Sequence, residues 1–133
     1  MRLLLDTHVW IWSQEDMNQL GPQAKRSLLG AEHENHISTV STLELARLVS
    51  IRAIELSISL QDWVERALQA TQARTVQVSH QIALGAYTLP GTFHKDPADR
   101  ILVATARHHE FTLLTADERI LNYKDVRSRD ARK

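Results

Sequence analysis

The sequence predicts an α/β/α sandwich: a mainly parallel central sheet of four to five strands, covered by helices on both faces. Three observations predict it. Short apolar runs alternate along the chain with longer stretches of helical periodicity. The first run, Leu3–Leu5, is continuously apolar, as in a buried strand. Helix-start signals fall between the runs, and strands alternating with helices make parallel sheets.

Taken in order, Leu3–Leu5 forms the first strand and ends at Asp6, and Val9 to Trp12 forms a short helix. Gly21-Pro22 opens a second helix, with proline in the first turn, where a missing N–H costs nothing. Glu34 to Ser38 is the second strand, followed by a helix from about Thr42 to Val49. Another helix begins near Leu60, with Ser59 and Asp62 spaced as a capping box. Thr75–Val78 alternates like a strand, and Ser79 caps a helix running to about Tyr87. After the Leu89-Pro90-Gly91 loop, Asp96-Pro97-Ala98-Asp99 is the clearest helix start in the chain. Its helix carries Ile101 to Ala104 and Ala106 before His108-His109. Phe111–Leu114 is a strand, Asp117 opens a short helix, and Val126 lies in a last edge strand. Residues 1–133 are expected to form a single domain, with the chain after about residue 127 fraying.

Composition excludes several classes. Hydrophobic residues make up 43% and charged residues 24%, a globular profile rather than a disordered one. Lys plus Arg equal Asp plus Glu at 16 each, so any nucleic-acid contact must come from a local patch. The absence of cysteine removes disulfides, thiolate zinc sites and cysteine nucleophiles, and suits a cytoplasmic protein. Three leucines before Asp6 are too few for a signal-peptide core, and no apolar run reaches membrane-spanning length.

Parallel sheets bind ligands outside the carboxyl ends of their strands. Four acids fall at such places: Asp6 after the first strand, Glu44 and Asp99 in first turns of helices, and Asp117 after the Leu113-Leu114 strand. Each has a structural explanation of its own. Asp6 and Asp117 can cap the helices they precede. Ser41-Thr42-Leu43-Glu44 reads as a capping box, with Glu44 reaching back to the Ser41 N–H. Asp96 can be the N-cap ahead of Pro97, with Asp99 favoured by the helix dipole. Together, however, the fold brings them to one edge. Carboxylates gathered there raise one another's pKa unless a cation intervenes, and oxygen ligands favour Mg²⁺ or Mn²⁺. Such an ion suits phosphodiester hydrolysis.

The segments Leu3–Trp10, Ser41–Leu48, Asp96–Ala106 and Leu113–Asp117 resemble, in order and spacing, the four motifs of PIN domains. More specifically they resemble the VapC toxins of type II toxin–antitoxin systems, and the likeness runs from the first residues to about Ile120. The resemblance implies a PIN-domain-like fold and a Mg²⁺- or Mn²⁺-dependent endoribonuclease. Asp6, Glu44, Asp99 and Asp117 would surround the metal, and the products would carry 5′-phosphate and 3′-hydroxyl ends. It also implies a homodimer and a cognate antitoxin protein that blocks the site. Thr115 would be an accessory polar residue. Asp96 could lend a water-mediated contact, though capping suits it better, and Thr7 and Ser41 rank first as local capping groups. The chain departs from the pattern at Arg52-Ala53, where related toxins often carry Gly-Arg at the helix end.

Other features are weighed against this centre. None of the seven histidines has zinc spacing; His8 adjoins the acids, with a structural role preferred. Trp10 and Trp12 cannot share one helical face, so one belongs to the core and the other suits a dimer or partner surface. Arg100, beside Asp99, and Arg47 are the candidate RNA contacts, with Arg107 and the tail residues Arg127, Arg129, Arg132 and Lys133 behind them. A phosphatase with Asp6 as nucleophile would want a second acid at position 8, which is His. The remaining alternative is a non-catalytic interaction module whose acids are only caps.

Overall fold

The computed structural model describes residues 1–133. Five strands, β1 (Arg2–Leu5), β2 (Glu34–Ser38), β3 (Arg74–Val76), β4 (Thr112–Thr115) and β5 (Ser128–Asp130), form one sheet in the order β3-β2-β1-β4-β5. Every pairing is parallel, with Leu3 opposite Asn35 on one side and Thr112 on the other. The helices are α1 (Thr7–Glu15), α2 (Pro22–Leu29), α3 (Thr39–Ser50), α4 (Leu60–Thr71), α5 (His80–Gly85), α6 (Pro97–His109) and α7 (Glu118–Leu121).

The all-leucine β1 is explained by its central place. Leu3 and Leu5 join Val9, Trp10, Leu45 and Trp63 in a core on one face, whereas Leu4 joins Val103, Phe111, Leu113 and Ile120 on the other. All three leucines are fully buried, so each is expected to cost about 2–5 kcal/mol on truncation to alanine. Trp10 is the core member of the tryptophan pair and meets Trp63 edge-on at 5.2 Å. Asn35, one of three buried polar residues in β2 with His36 and Ser38, donates its amide to the carbonyls of Leu28 and Thr71.

Several boundaries differ from the sequence reading, each for a local reason. The first helix runs on to Glu15 rather than ending at Trp12. The helix expected from Thr42 begins at Thr39, because Ser38 ends β2 and caps α3 through the Val40 N–H. The last strand is Ser128–Asp130, not the region of Val126. The tail expected to fray is tied down: the Ala131 N–H donates to the Thr115 carbonyl, and the Lys133 carbonyl accepts from Ala24 N–H. Gly21, ahead of Pro22, lies against the Lys133 backbone where a Cβ would have no room. At the departure from the Gly-Arg pattern, Arg52 itself takes the left-handed conformation (φ 59°) that glycine usually supplies.

Candidate metal centre

The chain leaves β1 through α1 toward β2 on one side, and leaves β4 through α7 toward β5 on the other. Adjacent strands whose connections diverge open a crevice beyond their carboxyl ends. Asp6 follows β1 directly and Asp117 follows β4 by two residues, so both stand in that crevice. Asp6, Glu44, Asp96, Asp99 and Asp117 line one cleft.

Asp6 is held from two sides. It caps α1 by accepting the Thr7 N–H at Oδ1 (2.7 Å), and the Thr115 hydroxyl donates to its Oδ2 (2.6 Å). Thr115 also accepts the Asp117 N–H (3.0 Å), so it links two of the acids. Asp117 caps α7 through the Arg119 N–H (2.8 Å). Asp96 caps α6 as expected, accepting from the N–H groups of Ala98 and Asp99. Asp6, Asp96 and Asp117 are thus helix caps and cleft residues at once.

Glu44 behaves differently from its expected capping-box role. With α3 starting at Thr39, it lies in the second turn and cannot reach the Ser41 N–H as a box partner. Instead the Thr7 hydroxyl donates to Glu44 Oε1 (2.5 Å) and is hydrogen bonded to the buried Ser41 hydroxyl (2.9 Å). Thr7 and Ser41 are therefore not the capping groups expected, since Asp6 caps α1 and Ser38 caps α3. They fix Glu44 against α1.

The electrostatics reflect crowding. Burial raises the Asp6 pKa against the Thr115 hydrogen bond, and burial likewise raises Glu44 against the Thr7 bond. Burial, then repulsion from Asp6, Asp96, Asp117 and Glu44, pushes Asp99 from 3.8 up to about 8. Asp117 alone is lowered, because Arg119 hydrogen bonds its carboxylate.

Two neighbours escaped the sequence reading. The Arg119 guanidinium grips Asp117 with Nε (3.2 Å) and Nη2 (2.9 Å) and lies 3.7 Å from Asp99 Oδ2. His94 places Nε2 3.1 Å from Asp99 Oδ2, yet this buried nitrogen has no well-aligned hydrogen bond. Its pKa is lowered by burial and by Arg119, while that of Asp99 is raised by burial and by the neighbouring acids, so both shifts oppose an ion pair between them. The only available signals were Arg119 two residues after Asp117 and His94 two before Asp96. His8, exposed, and Trp12 complete the cleft rim, their rings 6.2 Å apart.

The expected RNA contacts divide. Arg100 turns away from the cleft: Nε donates to the Ala86 carbonyl (2.7 Å), Nη1 to those of Phe93 and His94 (3.0 Å each), and the guanidinium stacks on Tyr87. Bound to three carbonyls, it fastens the loop before α6 and is not a free phosphate ligand. Arg47 is exposed on α3 and lines an adjoining hollow that shares Glu44 and Asp96 with the acidic cleft.

The comparisons with known proteins agree with this architecture. A solved VapBC2 structure from Rickettsia felis, bound to a DNA fragment from its promoter, superposes with a TM-score of 0.71 at 14% identity, covering 97% of this chain and 98% of that one. The VapBC-1 structure of nontypeable Haemophilus influenzae gives 0.70 at 17% identity over the whole of both chains. At such identities these show the fold. Ribonuclease VapC22 of Mycobacterium tuberculosis (strain ATCC 25618 / H37Rv) is 34% identical over 125 residues, 94% of each chain. The PIN domain family model matches residues 3–126, a span that contains every acid of the cleft. With the parallel sheet and the acids at its switch point, that match places the chain in the PIN domain family.

Proposed function

We propose that this chain is a metal-dependent endoribonuclease, the toxin of a type II toxin–antitoxin pair. The observation that carries the reading is the meeting of Asp6, Glu44, Asp99 and Asp117, from four separate segments, in one open cleft where their charges conflict. The 34% identical relative is named a ribonuclease, which supports RNA as the substrate. The solved relatives are toxin–antitoxin complexes, which supports a cognate antitoxin as partner.

The residues present fit a divalent cation. Carboxylate oxygens dominate the donor set, and His94 Nε2, buried without a good partner, lies with Asp99 and Asp117 so that their ligand atoms are within 4.8 Å of one another. Hard oxygen donors favour Mg²⁺ or Mn²⁺. Asp6, Glu44, Asp99 and Asp117 would hold the ion. When bound, it would supply the positive charge that stabilises a transferring phosphate and makes water a better nucleophile.

The protein's own part is positioning. Thr115 and the Thr7 N–H orient Asp6, the Thr7 hydroxyl orients Glu44, and Asp96 fixes the first turn of α6 beneath Asp99. Arg47, in the adjoining hollow beside Glu44, would meet RNA phosphate, which no global charge would attract. No helix is long and apolar enough to cross a membrane. From the family resemblance we further propose a single-domain protein that acts in the cytoplasm as a homodimer.

The test is cleavage of a mixed tRNA, rRNA and mRNA pool with Mg²⁺, Mn²⁺ or EDTA. Cleavage is expected with either ion, none in EDTA, and none from Asp99→Asn. Cleavage that survives EDTA, or persists undiminished in that variant, refutes the metal mechanism.

A further inference from the structure

Arg119 stands where a positive charge is needed, and nothing else does so in the acidic cleft. Its guanidinium makes paired hydrogen bonds to both oxygens of Asp117 and reaches to 3.7 Å from Asp99 Oδ2. Those two acids are also the ones that, with His94, bring ligand atoms within 4.8 Å of one another. The guanidinium and an ion at that position would therefore compete for the same oxygens. The side chain is 60% exposed, and apart from Asp117 and Asp99 no group holds it, unlike Arg100 with its three carbonyl partners. It is free to leave.

We propose that Arg119 is a displaceable counter-cation of the metal centre: it occupies Asp117 and Asp99 when no ion is bound and must turn out to solvent for the ion to bind. The inference rests on the proposed metal site. Its consequence is that the chain carries an internal brake on its own metal affinity. The brake weakens binding because each ion must first break the paired contact to Asp117, and it spares the empty site part of its repulsion.

The test measures Mn²⁺ binding to the full chain by isothermal titration calorimetry, comparing wild type with Arg119→Gln, Arg119→Lys and Arg132→Gln. Arg132 is an exposed arginine paired to Asp130 and Glu118 outside the cleft, so its variant controls for net charge. Arg119→Gln should bind Mn²⁺ about threefold to tenfold more tightly, Arg119→Lys should fall between, and Arg132→Gln should match wild type. A second readout is the Arg119 Nε–H resonance, which should be protected from solvent exchange in EDTA and lose that protection on Mg²⁺ saturation. Unchanged or weaker binding by Arg119→Gln overturns the proposal while leaving the metal site intact. An equal gain in Arg132→Gln also overturns it, by reducing the effect to net charge. No Mn²⁺ binding by wild type overturns both this inference and the proposed function.

Discussion

Asp99→Asn should make the metal-free protein more stable while disabling it. The reason is the crowding around this carboxyl, whose pKa is pushed to about 8 from 3.8 by burial and by four neighbouring acids. A group whose folded-state pKa is raised contributes stability that is present below its unfolded pKa and is lost as pH rises through the folded one. Between pH 3.8 and about 8 the unfolded chain releases a proton that the folded chain must retain. At pH 7 the full linkage would be about 4 kcal/mol. The cleft is open to solvent on one side, and Arg119 stands close by, so screening reduces this to about 2 kcal/mol. The asparagine side chain has the same shape, keeps an oxygen toward His94 and carries no charge. In EDTA at pH 7 the variant should therefore melt roughly 5–8 °C above wild type. The gain should shrink toward zero near pH 4 and level off above pH 8. Saturating Mg²⁺ should reverse the order, since an ion at a hundred times its Kd adds about 2.7 kcal/mol to whichever chain binds it. Thermal melts by circular dichroism at pH 5, 6, 7 and 8, with EDTA and with Mg²⁺, read both effects. If the variant melts at or below wild type in EDTA throughout pH 6–8, the acids do not repel one another as described.

Two further outcomes follow from particular contacts. Thr7→Val keeps the buried volume but removes the proton donated to Glu44; Mn²⁺ affinity should fall about tenfold while the melting temperature drops only a few degrees. Thr7→Ser should restore the affinity, and equal affinity in the valine variant would show that Glu44 needs no such support. Arg100→Ala and Arg47→Ala should separate in the opposite sense to their nearness to Asp99 in sequence. The first loses three carbonyl contacts and should destabilise by about 2–3 kcal/mol, measured by urea denaturation. The second should leave the urea midpoint in place and weaken RNA binding in a filter assay at low salt, with a smaller salt slope.

How much of this was legible in the sequence depends on the range of the interaction. The strand–helix alternation, the all-leucine central strand and the caps at Asp6, Ser59, Ser79, Asp96 and Asp117 are local, and the structure bears out each of them. The start of α3 was misplaced because Ser38 and Ser41 are both acceptable caps locally. Only the burial of Ser41 and its contact with Thr7, 34 residues away, decides between them. For Arg100 the sequence leaves two directions open, toward the acids or away, because consecutive helix residues point about 100° apart, and only the three carbonyls it meets decide between them. The tail reads as frayed because its strand is three residues long with two of them charged, and the edge of β4 that holds it cannot be seen from composition.

The acids carry two jobs, and the hydrogen bonds show how these coexist. A capping aspartate needs one oxygen for the helix N–H groups, which leaves a second for other partners. Asp6 divides itself in this way, Oδ1 to Thr7 and Oδ2 to Thr115; Asp96 gives Oδ1 alone to α6. Capping thus anchors carboxylates that would otherwise spread apart. Glu44, which caps nothing, needs the Thr7 hydroxyl for the same purpose. Asp99 accepts no hydrogen bond from a helix N–H, and its pKa is pushed up to about 8. The neutral module whose acids are only caps would have no reason to retain such a residue. Asp99 is buried, repelled on several sides and unnecessary to α6, whose N-cap is already Asp96. A carboxyl that lowers the stability of its own fold at neutral pH makes physical sense where a cation relieves it.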